Sequence, residues 1–223
     1  MKTSKSPNNI INILKDLLFP LKCLGCNKDG YFICPLCLEK IEKPKQELDK
    51  NIFSLFSYKN PVARKIIWEL KYHYKYKLAE DLGQFLFDNS KEKLSLILKD
   101  SSTRPILIVP IPLSRKRRWR RGYNQSDYIA RGFCSCVNSN LFLLEKRILF
   151  KNKNTSPQAK IKDREERLKN IQGVFFIKGK EKINGKTIII IDDVVTTGGT
   201  IKEAMRVLKN NGAEKVYALT LAH

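Results

Sequence analysis

Two adjacent carboxylates and a turn of small residues lie near the end of the chain. Asp192 and Asp193 precede the run TTGGT, which covers residues 196–200. Carboxylates accept hydrogen bonds from a vicinal diol and are ligands for Mg²⁺. Threonine hydroxyls and glycine N–H groups at the start of a helix can surround an anion. This spacing predicts a sugar-phosphate site, with the diol at the carboxylates and the phosphate at the turn.

The flanking residues predict a strand before this turn and a helix after it. Residues 188–191 are four isoleucines, typical of a central parallel strand that is buried on both faces. After Thr200 the apolar residues follow one helical face, and Gly212 is placed to end the helix. The turn is neither a Walker loop nor a GxGxxG dinucleotide motif.

A second apolar run, residues 106–111, predicts another strand, and the sequence that follows it is strongly cationic. Ser114 and nearby backbone amides could form a second phosphate site. Residues 115–121 then hold six cations in seven positions, and such charges repel one another unless an anion neutralises them. We expect this segment to stay mobile until it meets pyrophosphate or a nucleic-acid backbone. Its candidate DNA-binding residues are Lys116, Arg117, Arg118, Trp119, Arg120 and Arg121.

Four cysteines in two CxxC pairs predict a metal site near the N-terminus. Seven residues separate the pairs, and two such turns can supply the four thiolates of a tetrahedral Zn²⁺. With four cysteine ligands no position is left open for chemistry, so the role of this Zn²⁺ is structural. A redox CxxC pair and unligated buried cysteines remain alternatives. The predicted metal ligands are Cys23, Cys26, Cys34 and Cys37.

Two other groups of residues have both a functional and a packing interpretation. An aromatic series at positions 68, 72, 74 and 76 alternates with lysines, a pattern that can stack on and neutralise a single nucleic-acid strand. Amphipathic packing also explains this series, and it is the interpretation that we favour. Cys134 and Cys136 are expected to be small core residues.

Composition limits the compartment and the partners. The formal net charge is +21, which favours a polyanionic partner. The alternative is that the charged side chains only keep the surface solvated. No apolar run approaches the roughly 20 residues needed to span a bilayer, and no signal peptide is visible. We therefore expect a cytoplasmic protein that is not an integral membrane protein. Residues 7–19 form an amphipathic pattern that suits packing on the cysteine module or contact with a membrane surface.

The alternation of strands and helices predicts a doubly wound, mostly parallel α/β sheet that binds its ligand at the carboxyl ends of the strands. We expect two domains. Residues 1–45 would hold the amphipathic helix and the zinc module, and residues 46–223 would form the α/β domain.

The stretch IIIIDDVVTTGGT resembles the signature with which type I phosphoribosyltransferases bind 5-phosphoribosyl 1-pyrophosphate (PRPP). The cysteine module, VPIPLSRKRRWRRGYNQ and the segment 158–170 extend this resemblance to the ComF/ComFC family of competence proteins, over nearly the full chain. That family implies a phosphoribosyltransferase-like domain behind a zinc module. It also implies a role in natural transformation, handling imported single-stranded DNA with the competence machinery at or inside the inner membrane.

The resemblance also implies which residues contact PRPP and its Mg²⁺. The two carboxylates would bind the ribose diol and the turn the 5-phosphate, while two residues after the second strand would lie by the pyrophosphate. A closing loop would contribute two more. The residues concerned are Asp192, Asp193, Val194, Val195, Thr196, Thr197, Gly198, Gly199, Thr200, Ser114 and Arg115, with Gln158 and Arg164 in the loop.

Three functions stay open at this point. The first is a PRPP-binding protein that handles single-stranded DNA during natural transformation. The second is an active phosphoribosyltransferase that transfers ribose 5-phosphate from PRPP to an unidentified base or amine, and the sequence does not establish turnover. The third is a DNA-binding module whose nucleotide fold is only a relic, and the retention of both aspartates and of the intact turn argues against it.

Overall fold

A central sheet of five parallel strands forms the frame of the protein. The structure is a computed structural model and describes residues 21–137, 140–151 and 173–223. The spatial order of the strands is β1, β7, β6, β2, β3, and a separate antiparallel pair is formed by β4 and β5. The strands are β1 (Ile52–Phe56), β2 (Ile106–Pro110), β3 (Phe142–Leu144), β4 (Leu149–Lys151), β5 (Phe175–Ile177), β6 (Thr187–Val194) and β7 (Lys215–Ala222).

Helices connect the parallel strands. The described helices are α1 (Pro35–Glu39), α2 (Pro61–Tyr72), α3 (Tyr76–Asn89), α4 (Lys91–Asp100), α5 (Arg115–Arg121), α6 (Gln125–Cys134) and α7 (Gly199–Asn210), with a 3₁₀ turn at Lys180–Lys182.

Two apolar cores, one on each face of the sheet, confirm the predicted doubly wound architecture. On β6, Ile189 and Ile191 belong to one core and Ile188 and Ile190 to the other, as the alternation of side chains along a strand requires. Helices α2, α3, α4 and α6 cover the first face, and α7 with the β4–β5 pair covers the second. All four isoleucines are fully buried.

Two glycines let α3 and α6 approach closely. A Cβ on Gly83 would lie 2.0 Å from the carbonyl oxygen of Ile129, and one on Gly132 would lie 1.9 Å from that of Glu80. No side chain fits at either position, so these glycines set the distance between the two helices on one face of the sheet.

The cysteine module packs on the first face of the sheet. Its apolar residues Ile33, Leu38 and Ile41 belong to the same core as the buried residues of α2. On the surface, the ammonium of Lys65 donates to the carbonyl of Leu24 at 3.2 Å. Module and helix α2 therefore share one hydrophobic core.

Helices α3 and α4 are separated at Ser90, where the side chains of Asn89 and Ser90 donate to the carbonyls of Phe85 and Leu86. Such side-chain bonds compete with the helical ladder. Strand β6 does not stop after the isoleucines but continues through Val194, because its ladder with β7 extends that far.

The cysteines of α6 and the turn after it also differ from expectation. Cys134 is half-buried against the core, but Cys136 is exposed. The prediction of a core role is therefore wrong for Cys136, which lies past the last turn of α6.

Within the described ranges, no helix combines the length and the apolar character needed to cross a membrane.

Candidate functional site

A cavity of about 220 Å³ opens at the carboxyl ends of β2 and β6. We call it the sheet-edge cavity. It brings together the two carboxylates of β6, the whole turn 194–201, the segment 111–113 and four cations. The cations are Lys71, Arg117, Arg121 and Lys151.

The acidic side of the cavity is held by a small network. Oδ1 of Asp192 accepts hydrogen bonds from the Ser126 hydroxyl and from the backbone N–H of Asp193, both at 2.9 Å. Oδ2 of Asp193 lies 3.5 Å from the ammonium of Lys71. Burial, with the neighbouring charge of Asp193, raises the pKa of Asp192 to about 7. Asp192, near the end of β6, therefore keeps its proton up to near neutral pH.

The turn between β6 and α7 ends in a glycine with a left-handed backbone. Gly198 precedes α7 with φ +80°, which favours glycine, and a Cβ there would lie 2.6 Å from the end of the Leu48 side chain. Val195 is buried in the second core. Residues 198–201, at the start of α7, line the cavity, and the first N–H groups of a helix have no partner within the helix.

The opposite side of the cavity is cationic. Burial, then the nearby charges of Arg121 and Arg120, lower the pKa of Arg117, and burial and Arg117 lower that of Lys151. Among the described residues, neither Arg117 nor Arg121 takes part in an ion pair, and the Arg121 Nε–H is buried without an acceptor. These cations lack the counter-charge that an anionic ligand would supply.

Arg117 and Arg121 of α5 line this cavity, whereas we expected Ser114 and Arg115 to do so. Ser114 caps α5 by accepting from the backbone N–H of Arg117 at 3.4 Å, and Arg115 is exposed. Neither lines the cavity, where Arg117 and Arg121 stand instead. A place for Ser114 and Arg115 beside a pyrophosphate stays a prediction.

The cationic segment is a helix, α5, and its mobility stays a prediction. Ser114 starts it, Gly122 ends it with φ +68°, and the cations spread around its surface. Its remaining candidate DNA-binding residues all have exposed side chains: Lys116, Arg118, Trp119 and Arg120.

The sequence analysis named Arg117 and Arg121 as candidate DNA-binding residues but did not assign them to this cavity. They are four residues apart, so a helix over this segment would have placed them on one face. Lys71 and Lys151 come from α2 and β4, far from the PRPP-type stretch in sequence, and no local pattern identifies them.

The four predicted metal ligands come together in the cysteine module. Their sulfur atoms all lie within 4.8 Å of one another, and the Sγ atoms of Cys26 and Cys34 are 3.7 Å apart. Tetrahedral Zn²⁺ with bonds near 2.3 Å needs sulfurs about 3.8 Å apart. Burial would raise the pKa of Cys23, but backbone N–H groups, including those of Cys34 and Gly25, lower it to about 6. The cluster could hold a metal such as zinc.

Other expected contributors lie outside the described residues. These are Gln158, Arg164 and the amphipathic segment 7–19.

The aromatic series is exposed, contrary to the packing interpretation that we favoured. Trp68 and Tyr72 are each 50% exposed, and Tyr74 and Tyr76 57%. Their rings contact one another and their neighbours, as for Trp68 with Tyr72 at 5.8 Å between centroids, but their outer faces meet solvent.

Comparisons with known proteins identify the family of this chain. The family model "Phosphoribosyl transferase domain" matches residues 129–223. Competence protein F of Haemophilus influenzae is 31% identical over 147 residues, 63% of this chain and 62% of that protein. DNA utilization protein YhgH of Escherichia coli O157:H7 is 28% identical over 188 residues, 84% and 76% of the two chains. Competence protein ComFC of Bacillus subtilis is 31% identical over 159 residues, 67% and 61%.

A solved structure is similar as well. The allosteric regulatory enzyme of purine biosynthesis aligns with a TM-score of 0.37 and 16% identity, over 64% of this chain and 25% of that one.

The parallel sheet and the matched family model define a phosphoribosyltransferase-like domain behind a four-cysteine cluster. With its competence-protein relatives, the chain belongs to the ComF/ComFC family.

Proposed function

We propose that the chain binds PRPP in the sheet-edge cavity and handles imported single-stranded DNA as a competence protein. One observation carries the PRPP part. The two carboxylates of β6 and the turn before α7 share a cavity with four cations. PRPP offers a diol to the first group, a 5-phosphate to the second and a pyrophosphate to the third.

Each group of the cavity has a definite part in this proposal. Asp192 and Asp193 accept hydrogen bonds from the ribose hydroxyls or help to hold the Mg²⁺ that accompanies the pyrophosphate. The N–H groups and hydroxyls of residues 196–200 bind the 5-phosphate. Arg117, Arg121 and Lys151 then neutralise the pyrophosphate, since they have no ion-pair partner among the described residues.

The names of the relatives and the net charge of this chain support the DNA part of the proposal. The matched relatives are named competence and DNA utilization proteins, and this chain has a net charge of +21. We propose that it works in the cytoplasm, at the inner face of the cytoplasmic membrane, with the competence machinery as partner. The cysteine cluster is proposed to bind a structural Zn²⁺.

Calorimetry with PRPP in the presence of Mg²⁺ tests the binding proposal. We expect one PRPP per chain, and Asp192→Asn with Asp193→Asn should weaken binding at least about 10-fold, because hydrogen bonds to charged groups are lost. Asp88→Asn changes an exposed carboxylate on α3 and is the matched control. Absence of binding, or binding that survives the double substitution, would refute the PRPP assignment.

The second candidate function is phosphoribosyl transfer to an unidentified base or amine. The cavity supports this function because it can position PRPP and stabilise charge. These two effects can carry such a reaction without a dedicated acid–base pair. Pyrophosphate release from PRPP, alone or with a panel of bases and amines, is the measurement. Release above that of the double aspartate variant would support the enzyme, and none with any acceptor would leave binding as the function.

A further inference from the structure

Beside the sheet-edge cavity lies a second, smaller cleft of about 190 Å³, which we call the aromatic–basic cleft. One tyrosine of its lining ends α2, and the other lies in the segment that joins α2 to α3. Two arginines come from the end of α5, and a lysine of α2 lines both cavities. The lining residues are Lys71, Tyr72, Tyr74, Arg120 and Arg121. Lys71 and Arg121 line the sheet-edge cavity too.

The cleft offers stacking surfaces next to unpaired cations. Tyr72 and Tyr74 are at least half exposed, and the Arg121 guanidinium lies 5.8 Å from the centre of the Tyr72 ring. Neither Arg120 nor Arg121 makes an ion pair with any described residue. Aromatic rings beside free cations suit a base and its phosphate in a single nucleic-acid strand.

The position of Tyr74 is fixed by its surroundings. Its own backbone has φ +52°, unusual for a residue with a side chain. Its ring lies over Gly122, where a Cβ would come within 2.6 Å of it. The Tyr74 hydroxyl also donates to the Arg120 carbonyl at 3.5 Å, so an exposed ring is held at the end of the cationic helix α5.

We infer that the aromatic–basic cleft binds one nucleotide of single-stranded DNA, and that this strand and PRPP compete for Arg121. The base stacks on Tyr72 and Tyr74, and its phosphate meets Arg120 and Arg121. Two polyanions that share a cation must weaken each other's binding, by the same factor in both directions. The inference rests on the proposed function, because it locates the strand and links it to PRPP.

Fluorescence anisotropy of a labelled oligo(dT) with the full chain tests the cleft directly. Tyr72→Ala with Tyr74→Ala should weaken binding about 10-fold, since stacking of a base on an aromatic ring is lost. Tyr72→Phe with Tyr74→Phe keeps the rings and should restore it, which separates stacking from misfolding. A duplex of the same length has no free base faces, and its binding should not respond to the alanines.

Charge is tested in the same assay. Arg120→Gln should weaken oligo(dT) binding and flatten its dependence on salt. Lys209→Gln removes an exposed cation from α7, on the other face of the sheet, and should do much less. Wild-type affinity in the double alanine variant, or equal effects of Arg120→Gln and Lys209→Gln, would overturn the cleft as the strand site.

Saturating PRPP with Mg²⁺, at matched ionic strength, tests the competition. The affinity for oligo(dT) should fall about 5-fold or more, and the Asp192→Asn, Asp193→Asn variant should lose this response. If calorimetry shows PRPP bound and oligo(dT) affinity does not change, the shared-cation inference is wrong. If PRPP does not bind at all, the proposed PRPP site fails, while the tyrosine and arginine variants still decide the strand site.

Discussion

At the scale of single residues, Asp192 has an environment that differs strongly from that of a free side chain. It is a carboxyl at the end of a buried strand, next to a second carboxyl. Hydrogen bonds from Ser126 and the Asp193 backbone, and the charge of Lys71, offset only part of the effect of burial. The pKa of about 7 means that folding opposes its ionisation. Ionisation of Asp192 therefore lowers the stability of the folded protein when no ligand is bound. Such a cost is expected of a group that is arranged for binding rather than for folding.

This cost predicts how stability depends on pH. Asp192 has a pKa near 3.8 when unfolded and about 7 when folded, so the folded state keeps a proton that the unfolded state loses. Stability must then fall as pH rises between these values. Asp192→Asn removes the penalty and keeps an acceptor oxygen, so its stability relative to wild type should grow by roughly 2 kcal/mol from pH 5 to pH 8.

Urea unfolding at both pH values, without Mg²⁺ or PRPP, measures this difference. Asp88→Asn, at an exposed position on α3, should shift stability equally at pH 5 and pH 8. A pH-independent difference for Asp192→Asn would contradict the raised pKa.

At the scale of elements, the packing of α3 on α6 shows how little space the first face of the sheet allows. Helix α6 carries Ser126, which holds Asp192, so the position of this helix also determines the acidic side of the cavity. The two glycines at the contact are therefore part of the support of the site.

Gly132→Ala tests this support. Alanine is the better helix former by about 1 kcal/mol, but its Cβ would meet the Glu80 carbonyl at 1.9 Å. We expect a net loss of about 1 to 3 kcal/mol in the free energy of unfolding, because a backbone atom cannot move aside cheaply. Urea unfolding measures it, with Ser95→Ala at an exposed position of α4 as the control; a stabilised Gly132→Ala variant would show that the helices separate easily.

The sequence predicts elements well where a local pattern suffices. Four β-branched residues identified β6, the turn chemistry identified the start of α7, and the cysteine spacing identified a cluster that the structure brings together. The end of β6 was missed because it depends on pairing with β7, which lies far along the chain. The sequence analysis did not identify α5 as a helix, although Ser114 and Gly122 supply its ends.

The cationic side of the cavity could not be predicted in full for a related reason. Lys71 reaches Asp193 only because α2 packs over the first face of the sheet. The periodicity of α2 tells which of its residues are buried, but not which strand end its polar edge meets.

At the scale of the whole molecule, the cysteine module and the α/β domain share one core. Residues of the module, including the buried Cys23 and Cys34, contact the same apolar cluster as α2, α3 and the sheet. Metal binding to the module should therefore stabilise the chain as a whole.

Metal analysis and thermal unfolding test this coupling. We expect one Zn²⁺ per chain, and Cys34→Ser should lower both the zinc content and the Tm, by several degrees in a single transition. Cys136→Ser alters an exposed cysteine outside the cluster and should change neither. A metal-free folded protein, or a separate early transition of the module, would be the contrary result.

The central position of β6 also determines how fast the backbone amides of the site should exchange. Its backbone amides lie between β2 and β7, so most should exchange with deuterium only when the sheet opens. Helix α5 contains no buried residue, and its amides should exchange through frequent local opening. We therefore expect slow amide exchange at the strand that carries the carboxylates and fast exchange at the helix that carries the arginines. An anion that binds in the cavity would then contact a rigid acidic side and order the cationic side.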